Sequence, residues 1–243
     1  MTSAARSGAW LVAMFLGSGC GAPQPDAGDV HAGDAAVDGS VCVEGDVIAL
    51  DGGRRGGGHY VTRVVSFTPG EGAGFGADAL PDIVLGPPQG EGDQRGSTDV
   101  LSLGAGGSIV LGFDVDIVDG PGDDFTVFEN VFTVQGVALR YWEELGEVSV
   151  SLDGVTWRSF VCDASRPRPH PGCAGWNVVY ANARNGLCAT EPRVSGGDGF
   201  DLAAVGLARA RYVRIRDLRT QGLASPSTGF DLDAVAVVHA AER

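Results

Sequence analysis

Lysine is absent from this sequence and methionine nearly so, whereas glycine is abundant. The chain carries 17 basic residues, all of them arginine, against 31 acidic ones, which gives a formal net charge of −14. A charge of this sign disfavours nucleic acids and anionic membrane surfaces as partners. With only two Met and 39 Gly, the composition is typical of a turn-rich β protein rather than a helical one.

The signature motifs of common enzyme classes are also missing. The sequence has no G-x-S-x-G, no H-E-x-x-H and no phosphate-binding P-loop, and its four histidines are scattered. Nor does it contain the C-x-x-C or histidine spacings that bind zinc. These absences favour a binding or structural protein over an enzyme. A glycan-processing enzyme is the remote alternative, because its carboxylate pair is defined by geometry that a sequence does not supply.

The N-terminal 20 residues predict export. Arg6 precedes a short apolar run, AWLVAMFL at 9–16, which is too short to span a bilayer. Small residues then lead to Cys20, and the pattern resembles a bacterial lipoprotein signal with Cys20 as the lipidated residue. Gly17 stands where such signals usually carry Leu, so a plain secretory signal is the alternative. We expect an outer-membrane or cell-surface location by lipid anchor, or otherwise a periplasmic or secreted protein.

Residues 21–40 are rich in Asp, Ala, Gly and Pro and contain almost nothing to bury. Such a composition does not offset the entropy of ordering the chain, which predicts a disordered tether. The remaining residues, 41–243, suffice for one well-cored β domain.

The cysteines of an exported domain predict disulfides. Once Cys20 is assigned to lipid, four remain, and four cysteines allow three pairings. Cys162 and Cys173 flank a Pro-rich loop and are expected to pair locally. Cys42 would then pair with Cys188.

Short β-like runs separated by Gly, Pro, Asn and Asp predict an all-β fold, an antiparallel β-sandwich of jelly-roll type. The runs are Val61–Phe67, Asp82–Leu85, Val100–Leu103, Ser108–Asp114, Phe125–Phe132, Glu147–Leu152, Thr156–Val161, Tyr212–Leu218 and Leu232–His239. Asp153-Gly154 is a hairpin turn signal between two of them. A single helical turn is expected at 202–205, capped by Asp201 and ended by Gly206.

Four motifs, in the expected order, resemble discoidin-like, galactose-binding-like domains of bacterial cell-surface lipoproteins. They are LGAGGSIVL at 103–111, VSVSLDGVTW at 148–157, ARYVRIR at 210–216 and GFDLDAV at 229–235. The resemblance extends over roughly residues 60–240. It implies a jelly roll whose closing strand contributes an Asp to a structural calcium site, and it does not imply a known activity.

The acidic segment at 114–130 favours a bound cation. Its six carboxylates surround a Gly-Pro-Gly turn, and like charges so close together are costly to desolvate unless a cation lies among them. Calcium suits flexible, carboxylate-rich loops. Glu129 shares a strand face with apolar residues. On the closing strand, which the resemblance brings near this loop, Asp231 and Asp233 lie two apart, so both point to one face and could share an ion. We therefore predict a structural calcium ion held by several of Asp119, Asp123, Asp124, Glu129 and Asp233; the alternative is a solvated acidic turn.

Aromatic side chains outside the predicted core are candidates for sugar contacts. They are Tyr141, Trp142, Trp176 and Tyr180, although large rings are more often buried than ligand-binding. Tyr141 and Trp142 are neighbours on a strand, so their rings point in opposite directions. The expected partner is extracellular polysaccharide or surface glycan; the alternative is a structural or adhesion protein that recognises another protein.

Overall fold

A computed structural model of the chain describes residues 58–134, 140–221 and 226–242. The predicted signal with Cys20, the predicted tether and Cys42 lie outside these residues.

The described residues form an all-β structure, as predicted. The strands are β1 (Arg63–Thr68), β2 (Leu101–Ser102), β3 (Ser108–Val118), β4 (Phe125–Glu129), β5 (Phe132–Thr133), β6 (Tyr141–Trp142), β7 (Gly146–Ser151), β8 (Arg158–Ser159), β9 (Cys173–Ala174), β10 (Asp198–Phe200), β11 (Arg209–Asp217), β12 (Asp231–Val237) and β13 (Ala240–Ala241). Short helical turns occupy Ala77–Ala79, Asp82–Val84, Pro192–Ser195 and Leu202–Val205.

Two antiparallel sheets form the sandwich. The larger has the order β1-β3-β11-β7-β8, with β13 added beside β3 and β9 beside β7. The smaller has the order β10-β4-β12-β2, and β5 and β6 form a separate two-stranded ribbon. In the smaller sheet β4 and β12 are antiparallel neighbours, so the C-terminal end of β4 lies beside the N-terminal end of β12.

The main core lies between the two sheets. It combines alternate residues of β3, β7 and β11 with residues of β4 and β12, including Phe113, Val150, Ile215, Phe125 and Val235. The larger sheet thus has the inward-apolar, outward-polar alternation of a sheet with one solvated face.

The smaller sheet is covered on its other face as well. There Phe128 packs with Tyr60, Val179, Ala181 and Ala234 in a second buried cluster. Every residue of β4 and β12 is consequently buried, whichever way its side chain points. Any carboxylate on these strands is therefore withdrawn from water.

Several predicted elements differ from the observed ones. The expected strand Asp82–Leu85 is wrong: Asp82–Val84 is a 3₁₀ turn, which buries the consecutive residues Ile83 and Val84. A short apolar run does not by itself distinguish a strand from a buried turn. The expected run Phe125–Phe132 divides into β4 and β5, and Thr156–Val161 contributes only β8.

Locally encoded turns were predicted correctly. Asp201 caps the 3₁₀ turn Leu202–Val205 by accepting a hydrogen bond from the Ala203 amide, and Gly206 ends it in a left-handed conformation, with φ of 68°. Asp153 accepts hydrogen bonds from the amides of Val155 and Thr156 in the hairpin that joins β7 to β8.

Cys162 and Cys173 form the predicted disulfide. Cys188 is also disulfide-bonded; its predicted partner, Cys42, lies outside the described residues. None of the helices in the described part of the chain is long and apolar enough to cross a membrane.

Candidate functional site

The segment 141–144, Tyr-Trp-Glu-Glu, divides its side chains between two sites. Tyr141 and Glu143 contact Arg168. Trp142 and Glu144, the alternate residues, line a different cavity. The alternation follows from the extended conformation at β6, in which successive side chains point to opposite faces. We call the first site the arginine pocket and the second the acidic centre.

The acidic centre consists of Glu129, Glu144 and Asp231. Glu129 is the last residue of β4 and Asp231 the first of β12, which pairs with β4; Glu144 lies in the connection from β6 to β7. One carboxylate oxygen from each lies within 4.8 Å of the others, in a group that could hold a metal ion. Their exposed fractions are only 1%, 2% and 8% in that order.

Burial and mutual repulsion both favour the protonated, uncharged forms of the three carboxyl groups. The pKa of Glu129 is raised well above its ordinary value by burial, with Asp231 and Glu144 adding to the effect. Burial, followed by the charge of Asp231, raises the pKa of Glu144 to about 8. Burial also raises the pKa of Asp231 to about 6. Without a cation, this centre holds protons at neutral pH.

Hydrogen bonds satisfy only part of the centre. The Glu144 Oε1 atom accepts from the Gly229 amide at 3.0 Å, and the Asp231 amide lies 3.4 Å from Glu129 Oε1. Asp231 also accepts from the Ser102 hydroxyl. Glu129 Oε2 is buried without a hydrogen-bond partner in the described residues, where no arginine or histidine forms an ion pair with the centre either. Because such a buried oxygen is costly, a bound cation with oxygen ligands fits this donor set.

The acidic centre opens onto a cavity of about 280 Å³. Glu144 and Asp231 form part of its wall, and Trp142 and Phe132 form another part. The two rings are stacked, with centroids 6.5 Å apart and planes 14° apart. The other lining residues are Phe75, Ser97, Val100, Asn130 and Ser227. Carboxylates, hydroxyls and an amide thus face the same space as aromatic carbon.

The acidic loop, residues 119–124 between β3 and β4, is arranged differently from the acidic centre. Asp124 is fully buried, yet both its oxygens are engaged: Oδ1 lies 2.8 Å from the Gly120 amide and from His239 Nδ1, and Oδ2 accepts from the Leu202 amide at 2.7 Å. Asp119 and Asp201 lie close enough to Asp124 to form a second group that could hold a metal ion. Asp123 stands beside Asp201 with a pKa raised by burial and by that neighbour. Since Asp124 already has three donors, this loop has less need of an ion.

The predicted calcium ligands therefore do not converge on one point. Asp119 and Asp124 share the loop, whereas Glu129 belongs to the acidic centre. Asp233 lies apart from both, with its two carboxylate oxygens 3.0 and 2.8 Å from the Gln89 amide. Asp233 itself lies at an irregularity of the sheet, because the register between β12 and β4 shifts between Leu232 and Ala234.

The arginine pocket gathers three of the four predicted ligand-binding aromatics. The Arg168 guanidinium carbon lies 3.9 Å from the Tyr141 ring centroid and 5.6 Å from that of Trp176. Arg168 forms an ion pair with Glu143. Tyr180 lines the same cavity, also of about 280 Å³, together with Asn177. Trp142, the fourth aromatic, lines the cavity of the acidic centre instead.

Covalent and buried polar groups support the arginine pocket. Arg168 lies within the loop closed by the Cys162–Cys173 disulfide. The Trp176 indole donates to the Cys173 carbonyl at 3.1 Å. Beneath it, Asp198 accepts from the amides of Gly175 and Trp176 at 2.6 and 3.2 Å, and burial raises its pKa to about 7. The disulfide thus closes the loop that carries Arg168, and hydrogen bonds fix the turn at Gly175 and Trp176 that follows it.

Glu144 and Arg168 were absent from the predicted site. Asp231 was predicted to share a strand face with Asp233 but is not among the five predicted ligands. A local signal existed for Glu144, because the period of two in 141–144 places it beside Trp142. Arg168 lies in a Pro-rich loop that offers no local indication of a partner, since Tyr141 and Glu143 are distant in sequence.

A scan against models of protein families finds no match to this chain, and a search of curated proteins finds no similar sequence. Its function must therefore be inferred from the residues of the acidic centre and of the arginine pocket.

Proposed function

We propose that this chain is an exported cell-surface protein, anchored through lipid on Cys20, whose β-sandwich binds extracellular carbohydrate with the help of a calcium ion. Glu129, Glu144 and Asp231 hold the ion, and the adjoining cavity accepts the sugar. The observation that supports this best is a set of three buried carboxylates with no basic partner in the described residues, two of which, Glu144 and Asp231, line an aromatic-walled cavity.

Calcium suits the acidic centre better than magnesium does. It accepts about six to eight oxygen ligands in flexible geometry, whereas magnesium demands a near-octahedral site and keeps its waters. Each of the three carboxylates already accepts a hydrogen bond, and Glu144 and Asp231 also line the cavity, so an ion held there would have coordination positions open to it. A bound ion would supply positive charge there, and its remaining positions suit hydroxyl oxygens.

The cavity has the remaining groups that a sugar requires. Trp142 and Phe132 offer apolar ring surface for the CH groups of a sugar, and Asn130, Ser97 and Ser227 can bond to its hydroxyls. Three carboxylates and one divalent ion leave a net negative charge, so uncharged sugars are preferred to acidic ones. The proposed activity is binding and not catalysis.

The direct test is binding of the full chain to a panel of polysaccharides and glycans, first with calcium and then with EDTA. We expect saturable, selective binding in calcium that weakens at least tenfold on chelation. Trp142→Ala should cause a similar loss. Trp157→Ala is the matched control, because Trp157 is also half-buried but stacks against Arg214 on the outer face of the larger sheet.

Calcium-independent binding throughout the panel, or equal losses in the two tryptophan variants, would contradict the proposed site. If the protein is folded and calcium-loaded but binds no member of the panel, a protein partner is favoured instead.

A further inference from the structure

The arginine pocket is separate from the acidic centre, although one short segment contributes to both. Glu143 and Glu144 are adjacent in sequence, yet Glu143 pairs with Arg168 while Glu144 faces Asp231 and Glu129. The two cavities have no lining residue in common. A ligand in the arginine pocket therefore does not need to contact the acidic centre.

Arg168 is already oriented for binding. Its guanidinium lies over the Tyr141 ring, and the carboxylate of Glu143 holds it from another side. The disulfide closes the loop on which it lies. A side chain fixed in this way loses little rotamer entropy when it forms a further hydrogen bond.

The charges in the pocket do not favour an anion. The carboxylate of Glu143 neutralises Arg168, and the buried Asp198 interacts electrostatically with the same guanidinium. An anionic ligand would have to displace Glu143 and would meet the field of Asp198. An uncharged ligand with several hydroxyls can instead accept from Arg168 and bond to the amide of Asn177, since both side chains line the cavity.

Tyr180 provides the apolar surface that a sugar ring requires. Its side chain is 49% exposed and lines the cavity near Gly196 and Pro192. A half-exposed ring beside a fixed guanidinium and an amide is a common arrangement for holding a sugar, since the CH face of the sugar packs on the ring while its hydroxyls bond at the edge. The volume, about 280 Å³, lies at the small end of the range for ligand pockets and suits a single ring.

We infer that the arginine pocket is a second carbohydrate site, which binds one uncharged hexose residue and does so without calcium. The inference relies on the proposed function only for the class of ligand; the site itself has no residue of the acidic centre.

The test is calorimetric titration of the full chain with soluble neutral oligosaccharides of galactose, glucose or mannose, in calcium and in EDTA. In EDTA we expect saturable binding of at least one series. Tyr180→Ala and Asn177→Ala should each weaken it at least tenfold. Tyr212→Ala is the matched control, because Tyr212 is likewise a partly exposed tyrosine, but it lies beside Arg63 on the outer face of the larger sheet.

No binding in EDTA by protein that circular dichroism shows to be folded would overturn the inference, as would binding that Tyr180→Ala and Asn177→Ala leave unchanged. If chelation unfolds the chain, the stoichiometry in calcium decides: Tyr180→Ala should reduce two sites to one, and an unchanged stoichiometry overturns the inference. Binding that persists in EDTA without any calcium-dependent component would support the second site and contradict the proposed function.

Discussion

The acidic centre and the arginine pocket both hold carboxylates that are largely withdrawn from water, but they neutralise the charge in opposite ways. In the arginine pocket the protein supplies the cation itself, because Arg168 pairs with Glu143. In the acidic centre three carboxylates face one another, and the described residues bring no basic side chain to them. Glu143 and Glu144 are adjacent in sequence, yet their chemistry differs because the fold places an arginine opposite one and two carboxylates opposite the other. One site is complete as folded, and the other requires protons or an ion.

The largest expected effect is calcium stabilisation through the acidic centre. At free calcium about a thousandfold above Kd, binding to the folded state alone adds roughly 4 kcal/mol. For a domain of this size that raises Tm by roughly 8–16 °C. Differential scanning calorimetry of the full chain in calcium and in EDTA measures the shift. A Tm that does not respond to calcium would remove the contrast between the two sites.

The disulfide should matter for stability and for the arginine pocket, but not for the acidic centre. Cys162 and Cys173 are 11 residues apart, and closing such a loop stabilises a protein by about 3 kcal/mol in the chain-entropy model. A Cys162→Ser/Cys173→Ser double variant should therefore melt lower and lose EDTA-resistant sugar binding, while its calcium affinity stays within about twofold of wild type. A large loss of calcium affinity would show that the two sites are not independent.

The pH dependence of stability should differ with and without calcium. The pKa of Glu144 rises from an ordinary 4.5 to about 8, and that of Asp231 from 3.8 to about 6. Between those limits the folded, calcium-free protein holds protons that the unfolded chain releases, so stability falls as pH rises from about 4 to about 8. The Tm difference between calcium and EDTA should therefore widen over this range. Thermal melts in calcium and in EDTA at pH 5 and pH 8 measure this change. Glu144→Gln should reduce the widening. A Tm difference that stays constant with pH would contradict proton binding by the calcium-free acidic centre.

The smallest effect is expected in the acidic loop. Because hydrogen-bond donors already satisfy Asp124, replacing its neighbours with Asp119→Asn or Asp123→Asn should change stability by less than about 0.5 kcal/mol. The Asp123 variant should be the less harmful of the two, since burial and Asp201 raise the pKa of this carboxyl. Both variants should keep the wild-type calcium shift in Tm. Loss of the calcium-induced Tm shift in either variant would indicate that the ion binds in the acidic loop instead of the acidic centre.

Features encoded by a few neighbouring residues were predictable from sequence. The Asp201-capped turn, the hairpin at Asp153 and the local disulfide all depend on short spacings. Glu129 was recognisable as a candidate ligand because a carboxylate on an apolar strand face is unusual. Its partners were not, because Glu144 and Asp231 reach it only through the pairing of β4 with β12 and the path of the chain after β6.

Asp233 shows the limit of strand periodicity. Alternation predicts that Asp231 and Asp233 point to one face and could share an ion. In the structure Asp231 lies with Glu129 and Glu144, whereas Asp233, at the register shift between β12 and β4, accepts from the Gln89 amide. Such an irregularity depends on the partner strand and leaves no mark in the sequence of β12 itself. Arg168 was missed for a related reason, since its position depends on a long loop that returns to β6.

The most direct test of a calcium site in the acidic centre compares three forms of the full chain: wild type, Glu143→Gln and Glu144→Gln. Calcium binding to each is measured by isothermal titration calorimetry after chelator treatment. The two substitutions are chemically identical and fall on adjacent residues. We predict that wild type binds calcium, that Glu143→Gln binds it within about twofold of wild type, and that Glu144→Gln binds it at least tenfold more weakly. Equal affinities in the two variants, or no calcium binding by folded wild type, would show that the acidic centre does not hold a calcium ion.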